Sequence, residues 1–279
     1  MFKGDNMEKK DIPVVILAGG LGMRMRDYSE NLPKALVPIG NMPVLLHVMK
    51  IYSHYGFNKF IICLGHKGEM IKEYFMNHEW ILNDMKLETG HTNEKKVTNL
   101  VKDLDKFEII FADTGLNTPT GGRLKKIERY IDGDNFLANY CDGLSNVNVN
   151  SLLEHHLKMK KIATLTAIHP LTTFGLLEIK DGLTVSFKEK PILPGWVNGG
   201  YFAFNRKIFD YLDENSVLEE GPLRKLSEKG QLAAFQHDDF WACMDTYKDV
   251  ERLNKVWEEG WMPHVGYRFN KVPWKVWEQ

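Results

Sequence analysis

Val14-Val15-Ile16-Leu17-Ala18-Gly19-Gly20-Leu21-Gly22-Met23-Arg24-Met25-Arg26, continued by Leu32-Pro33-Lys34-Ala35-Leu36-Val37-Pro38-Ile39, sets the architecture of the chain. Its aliphatic, β-branched start has no polar alternation and predicts a strand buried on both faces. The run leads into Gly19, Gly20 and Gly22, where a missing Cβ allows a sharp turn and lets backbone N–H groups approach a ligand. Arg24 and Arg26 follow, and Lys34 comes ten residues after Arg24. Backbone donors and cations beyond a strand suit a polyphosphate. Neither common phosphate loop is present: Met25 breaks a G-x-G-x-x-G pattern, and no Gly-Lys-Ser/Thr follows. The alternative is a glycine-rich surface turn with solvated arginines.

Outward from this stretch the elements alternate. Met42 to Tyr55 has helical apolar spacing, with Pro43 in the first turn and Gly56 at the stop. Lys59 to Gly65 predicts a second buried strand and Lys67 to Asn77 a helix. That order gives an α/β fold with a parallel sheet and right-handed crossovers. Residues 79–105 are polar and weakly periodic and read as an insertion or lid. A strand follows over Phe107 to Ala112, then a loop through Asp113-Thr114-Gly115 to Arg123 and a helix from Leu124 to about Tyr130. The next strand, Asn135 to Tyr140, ends in Cys141-Asp142-Gly143.

Val149 to Met159 is an amphipathic helix and Ile162 to Ile168 a β-rich run. Leu176 to Ile179, Val185 to Phe187 and Gly200 to Phe204 are short strands between Asp-Gly and Pro-Gly turns, which predicts antiparallel additions. A helix (Pro222 to Lys229), a strand (Gln231 to Gln236) and a closing helix (Tyr247 to Glu258) complete the pattern. The domain expected over residues 12–258 is followed by a Trp- and Pro-rich C-terminal arm, 259–279, packed on this chain or on a neighbour.

At 279 residues, 43% hydrophobic and 26% charged, the chain has the composition of a soluble globular protein with an ample core. A net charge of −1 points to neither nucleic acid nor an anionic membrane. No apolar run reaches the roughly 18 residues of a membrane span, and Met1 to Lys10 are polar and read as a loose start. Cys63, Cys141 and Cys243 are scattered with no CxxC pair, which argues against a zinc knuckle or disulfide framework and for a cytoplasmic home.

Ligands of an open parallel sheet sit beyond the carboxyl ends of its strands. Asp142 lies at such an end, where Mg²⁺ takes one or two carboxylates plus phosphate oxygens; the alternative is a plain Asp-Gly turn. Asp245, between an aromatic run and a helix start, is a second candidate, or a helix N-cap. Lys190, in Glu189-Lys190-Pro191, can meet a phosphate or sit solvated. Asn198-Gly199-Gly200 suits sugar hydroxyls or a turn. Cys141 and Cys243, each beside a candidate metal carboxylate, read as small buried apolar residues or as thiol ligands. His155-His156 reads as solvated.

In order along the chain stand Leu-Ala-Gly-Gly-Leu-Gly-x-Arg, Pro-Lys-Ala-Leu-Val-Pro-Ile-Gly, Thr-Gly-Gly-Arg-Leu-Lys, Tyr-x-Asp-Gly, Phe-Gly, Glu-Lys-Pro, Asn-Gly-Gly-Tyr-Phe and Met-Asp-Thr. This set resembles the sugar-1-phosphate nucleotidyltransferases. Within that superfamily it looks most like the glucose-1-phosphate cytidylyltransferases, through Ile51 to Phe57, Phe60 to Gly65, Thr120-Gly121-Gly122-Arg123 and Pro273-Trp274-Lys275-Val276-Trp277. The resemblance covers residues 12–279. It implies the nucleotide-diphospho-sugar transferase fold, with a Rossmann-like, mostly parallel central sheet and antiparallel additions. It implies Mg²⁺-dependent transfer from CTP to a sugar 1-phosphate, with glucose 1-phosphate favoured, in a homo-oligomer.

The resemblance also implies roles. Leu17, Ala18, Gly19, Gly20, Leu21, Gly22, Met23 and Arg24 would hold the triphosphate, with Lys34 neutralising its charge. Thr118, Gly122, Arg123 and Cys141 would contact the nucleotide, and the Arg123 guanidinium would read the cytosine O2 and N3 acceptors. Asp142 and Asp245 would carry Mg²⁺. Lys190 would take the sugar phosphate, and Gly175, Glu189, Asn198 and Gly199 the sugar; Arg24, Lys34 and Lys190 are the implied catalytic cations. Against the usual pattern, Met23 replaces Thr, Ala35-Leu36 replaces Pro-Met and Cys141 replaces Gly. Thr172-Thr173-Phe174-Gly175 lacks an arginine, Gly221 replaces a carboxylate, and Met262 to Lys271 are extra. The same chemistry with UTP, dTTP or another sugar 1-phosphate, and an inactive nucleotide-binding relative, are the competing readings.

Overall fold

A computed structural model describes residues 9–20, 31–89, 96–100, 105–172, 174–262 and 267–278. The chain begins with β1 (Val14–Leu17), then β2 (Pro38–Ile39), β3 (Met42–Pro43), α1 (Val44–His54), β4 (Lys59–Leu64) and α2 (Gly68–Leu82). β5 (Met85–Glu88), β6 (Lys96–Asn99), β7 (Glu108–Asp113), α3 (Thr120–Lys126), β8 (Asn135–Tyr140), β9 (Gly143–Ser145) and α4 (Val149–Met159) come next. β10 (Ala163–Ile168), β11 (Leu176–Lys180), β12 (Leu183–Lys188) and β13 (Val197–Asn205) lead to α5 (Pro222–Glu228). β14 (Leu232–His237), β15 (Trp241–Cys243), α6 (Tyr247–Glu259), β16 (Trp261–Met262) and β17 (Tyr267–Arg268) close the chain.

Seven strands form the central sheet in the order β14-β10-β13-β8-β1-β4-β7. β1 pairs parallel with both β4 and β8, while β13 runs antiparallel to its neighbours β8 and β10. The fully buried pattern of β1 follows from this central place. Val14 and Ile16 enter one core layer with α1, α4 and α6; Val15 and Leu17 enter the other with Leu124, Phe136 and Phe209. The period-2 alternation of a strand thus serves both faces at once.

Several boundaries differ from expectation for identifiable reasons. α3 starts at Thr120 rather than Leu124, so Gly121, Gly122 and Arg123 lie within the helix, behind an extended Pro119. A Cβ on Gly121 would meet the Ser216 carbonyl oxygen at 2.7 Å, and one on Gly122 the Glu214 carbonyl oxygen at 2.2 Å. The two glycines serve close helix-to-loop packing, and tertiary contact overrides their poor helix propensity. Pro43 is the N-cap of α1 and not part of its first turn. Gly200 to Phe204 is antiparallel to its neighbours as expected, and it belongs to the longer β13, inside the central sheet. α2 continues to Leu82, and within 79–105 the β5–β6 hairpin follows, with Met85 and Leu87 exposed. The described part of the expected insertion is therefore a helix end plus two paired strands.

The C-terminal arm packs on its own chain. Trp274 is fully buried, stacks on Phe240 at 5.5 Å and donates from Nε1 to His47 Nδ1 at 3.3 Å. Because an indole N–H only donates, His47 carries its proton on Nε2 and donates it to the Ile39 carbonyl at 2.9 Å. His156 corrects another expectation. It is buried, with Nδ1 2.8 Å from the Thr164 hydroxyl and Nε2 3.3 Å from Asn135 Oδ1, while its neighbour His155 is half-buried against Phe235. The inward stripe of α4 includes position 156 together with Leu152, Leu153 and Val149.

Candidate active site

Three chain segments meet beyond the carboxyl edge of the sheet. After β1 the backbone passes through Ala18, whose N–H donates to the Cys63 carbonyl at 3.1 Å, and Gly19, whose carbonyl accepts from the His66 N–H at 3.3 Å. The short 3₁₀ turn Lys34–Leu36 buries Ala35 and Leu36 and so fixes Lys34 beside this loop. β8 ends at Tyr140, after which Cys141 and Asp142 turn the chain into β9.

β9 pairs antiparallel with β15, with Cys243 opposite Gly143, and the Met244 N–H donates to the Asp142 carbonyl at 3.0 Å. This ladder brings Asp142 and Asp245 together. The Lys34 ammonium lies between them, donating to Asp245 Oδ1 at 2.5 Å and also to Asp142 Oδ2. Burial alone would lower the lysine's pKa, but the Asp142 charge and the hydrogen bonds to both carboxylates outweigh it and raise the pKa above its ordinary value. With a raised folded-state pKa the ammonium persists through neutral pH, and the stability it adds is lost only in strongly alkaline solution.

Both structural alternatives for the carboxylates are settled by their neighbours. Asp245 is not the helix cap: Thr246 caps α6, accepting from the Asp249 N–H at 3.3 Å, and Asp249 completes a capping box. Asp142 does more than make a turn, since its side chain holds Lys34. Leu17, Ala18, Gly20, Lys34, Cys141, Asp142, Asn198, Gly199 and Asp245 all border one cleft of about 520 Å³. Trp241, Tyr140 and Cys243, which the sequence reading did not assign to a substrate, border it too. Trp241 Nε1 donates to the Gly199 carbonyl at 2.7 Å, tying the second wall to the first; the Phe240-Trp241 pair just before Asp245 was its signal. Asn198 both borders the cleft and closes a turn, its Oδ1 accepting from the Gly200 N–H at 2.9 Å. Cys141 lies in the core cluster, and burial pushes its thiol up to about 12.

Other expected residues are placed elsewhere. Leu21, Gly22, Met23 and Arg24 lie outside the described residues. Gly175, Glu189 and Lys190 gather at the base of the β11–β12 hairpin, where Lys190 Nζ is 3.5 Å from Glu189 Oε1, and none of them borders the cleft. Among the described residues this ribbon forms its own two-stranded sheet, so the central sheet does not fix it against the carboxylates. Thr118 turns its hydroxyl to the Thr114 carbonyl, and the Gly122 N–H donates to the Ser216 carbonyl at 3.0 Å.

Arg123 is the main correction. Its guanidinium is buried at 4% exposure and donates from Nη1 to the Leu64 and Gly115 carbonyls and the Thr114 hydroxyl, and from Nη2 to the Gly19 and Leu116 carbonyls. A Cβ on Gly19 would lie 2.2 Å from Nη1. In this arrangement the guanidinium underpins the glycine loop, and its terminal donors are taken by protein oxygens instead of being presented to cytosine. Arg123→Ala is expected to destabilise the fold by about 2–3 kcal/mol through orphaned carbonyls and to weaken all pyrimidine nucleotides alike. A change in preference among them, measured as kcat/KM ratios, would return Arg123 to base reading.

The matched family model, nucleotidyl transferase, spans residues 13–259. The chain belongs to the nucleotidyl transferase family. It is 40% identical over 265 residues to a probable glucose-1-phosphate cytidylyltransferase of Bacillus subtilis (strain 168), covering 94% of this chain and 99% of that protein. It is also 40% identical over 267 residues to the glucose-1-phosphate cytidylyltransferase of Salmonella typhimurium, covering 95% and 99%. Among solved structures, HddC from Yersinia pseudotuberculosis superposes with a TM-score of 0.63 at 22% identity, covering 88% of this chain and all of that one, which is a likeness of fold. This family member is thus a sugar-1-phosphate nucleotidyltransferase with a mixed, mostly parallel sheet. Among the described residues, no helix is long and apolar enough to cross a membrane.

Proposed function

We propose that the chain transfers the cytidylyl group of CTP to glucose 1-phosphate, yielding CDP-glucose and pyrophosphate. The observation that carries the reading is the meeting of Asp142, Asp245 and Lys34 in the cleft beyond β1. The base and the sugar are those of the 40%-identical glucose-1-phosphate cytidylyltransferases. A phosphate oxygen of the sugar 1-phosphate attacks the α-phosphorus in line. The bond from that phosphorus to the bridging oxygen breaks, and pyrophosphate leaves with the electron pair. Such transfer needs positioning and charge neutralisation more than covalent help.

The donor set fits a divalent ion. Asp142 and Asp245 offer hard carboxylate oxygens, and the ammonium between them marks a position that accepts positive charge. Mg²⁺ held there would neutralise charge on the reacting phosphates. The chain's own groups do the rest. Leu17, Ala18 and Gly20 wall the triphosphate, Lys34 counters its charge and holds the two carboxylates in place, and Asn198 and Gly199 border the sugar side. Arg24 is the cation proposed for the triphosphate and Lys190 the one proposed for the sugar phosphate. The catalytic unit is residues 12–258, and in the arm 259–279 Trp274 packs against His47 of α1 and Trp257 of α6. The three free cysteines suit a cytoplasmic enzyme.

Ile179, Leu183 and Phe187 stand at 66%, 70% and 63% exposure on the β11–β12 ribbon, which supports burial against a second copy in a homo-oligomer. Pyrophosphate release, measured with CTP, UTP and dTTP against several sugar 1-phosphates, tests the reading. CTP with glucose 1-phosphate is expected to give the highest kcat/KM. A higher value with another pair would change the substrates while keeping the chemistry, and nucleotide binding without turnover would mark an inactive relative.

A further inference from the structure

We propose that Cys243 is a third ligand at the carboxylate pair, making an O,O,S site that binds thiophilic divalent ions such as Zn²⁺ or Cd²⁺ more tightly than Mg²⁺. The inference rests on the reading of Asp142 and Asp245 as the metal carboxylates. One oxygen of each and Cys243 Sγ all lie within 4.8 Å of one another. On one tetrahedral ion, metal–sulfur and metal–oxygen bonds of about 2.3 and 2.1 Å put the donor atoms roughly 3.4–3.6 Å apart, so side-chain rotations closing about an ångström complete the set.

The strand explains why the thiol faces this way. In β15 and just after it, Ala242 and Met244 are buried in the core, so period-2 alternation turns Trp241 and Cys243 to the cleft, which both border. Cys141 also borders the cleft, but its side chain belongs to the core cluster and it is not one of the three donors that converge. Two carboxylates alone suit a hard ion, whereas an added sulfur donor shifts preference toward Zn²⁺, Co²⁺ and Cd²⁺. The Lys34 ammonium now lies between the carboxylates, so an incoming ion exchanges one cation for another. On binding, the S–H bond breaks, a sulfur–metal bond forms and the proton passes to solvent. A trace thiophilic ion would therefore compete with Mg²⁺ and hold the enzyme in a slow or silent form.

The test titrates the full chain with Cd²⁺ alone and reads the ultraviolet thiolate-to-Cd²⁺ charge-transfer band, with Mn²⁺ binding followed in parallel by paramagnetic resonance. The band is expected in the wild type and in Cys141→Ser, and to be lost in both Cys243→Ser and Cys243→Ala, whose Mn²⁺ binding persists. Cd²⁺ should displace Mn²⁺ from the wild type. A wild type without the band, or a band that survives both Cys243 substitutions, overturns the thiol ligand; if Mn²⁺ binding still falls in Asp142→Asn, the carboxylate site stands. Mn²⁺ binding that ignores Asp142→Asn and Asp245→Asn sinks the carboxylate reading and this proposal with it.

Discussion

Asp142→Asn is expected to lower kcat by roughly 10²–10³-fold, the scale of losing one aligned electrostatic partner in a preorganised site. The substitution keeps the size of the side chain and leaves the backbone link from Met244 to residue 142 intact. Lys34 keeps Asp245 as a partner, so no buried charge is left alone and the fold should survive. What changes is the charge: the pair of carboxylates becomes one, and Lys34 loses the stronger of the influences that raise its pKa. A weaker hold on a divalent ion and a displaced ammonium act on the same reacting phosphates. Steady-state turnover at saturating metal, with circular dichroism as a control on folding, measures the effect. Turnover within a few-fold of wild type would take Asp142 out of the chemistry.

Acidification gives the largest expected change in stability. His47 and His156 are buried at 0% and 2% exposure, and each has a pKa lowered from 6.5 to about 4. Burial is the leading cause in both, with Lys275 and Lys50 adding repulsion at His47 and His155 adding it at His156. Both rings are neutral in the folded chain, whereas the unfolded chain protonates them as pH falls through 6.5. The unfolded state thus binds more protons between pH 6.5 and 4, and stability falls across that window, by about 3 kcal/mol per histidine. Protonated His47 would also set a new Nδ1–H against the Trp274 N–H, the donor it now accepts from. Two such losses rival the whole stability of a typical domain. Urea midpoints at pH 7.5 and pH 5 should differ strongly in the wild type and less in His156→Gln. A pH-independent midpoint would mean that these imidazoles are hydrated in solution.

The parts of this molecule that were legible in the sequence are those with local signals. β1 announces itself by an unbroken aliphatic run, β4 by the apolar run Phe60 to Leu64, and α4 by a stripe of Val149, Leu152 and Leu153 whose ends match the expectation. Asp142 could be singled out by its place at a strand end, and Asp245 by its place between an aromatic run and a helix start. Their meeting depends on three residues of β9 pairing with three of β15, too short a ladder to be read from either segment alone. The same limit explains Arg123. A Gly-Gly-Arg run looks like a ligand loop until Glu214 and Ser216 pack against it, and only the fold supplies those neighbours. His156 misled for a related reason: its partners Thr164 and Asn135 come from two different strands. β13 begins at Val197 rather than Gly200 because its Asn198-Gly199-Gly200 start imitates a turn, and Gly200 does take a left-handed φ of 77°.

The account is tested most directly by locating the ion. Anomalous diffraction from crystals grown with Mn²⁺ and CTP is predicted to give a peak bonded to Asp142 and Asp245, with the Lys34 ammonium moved from between them onto a phosphate. A peak elsewhere in the cleft, with Lys34 still bridging the two carboxylates over a bound nucleotide, would contradict it.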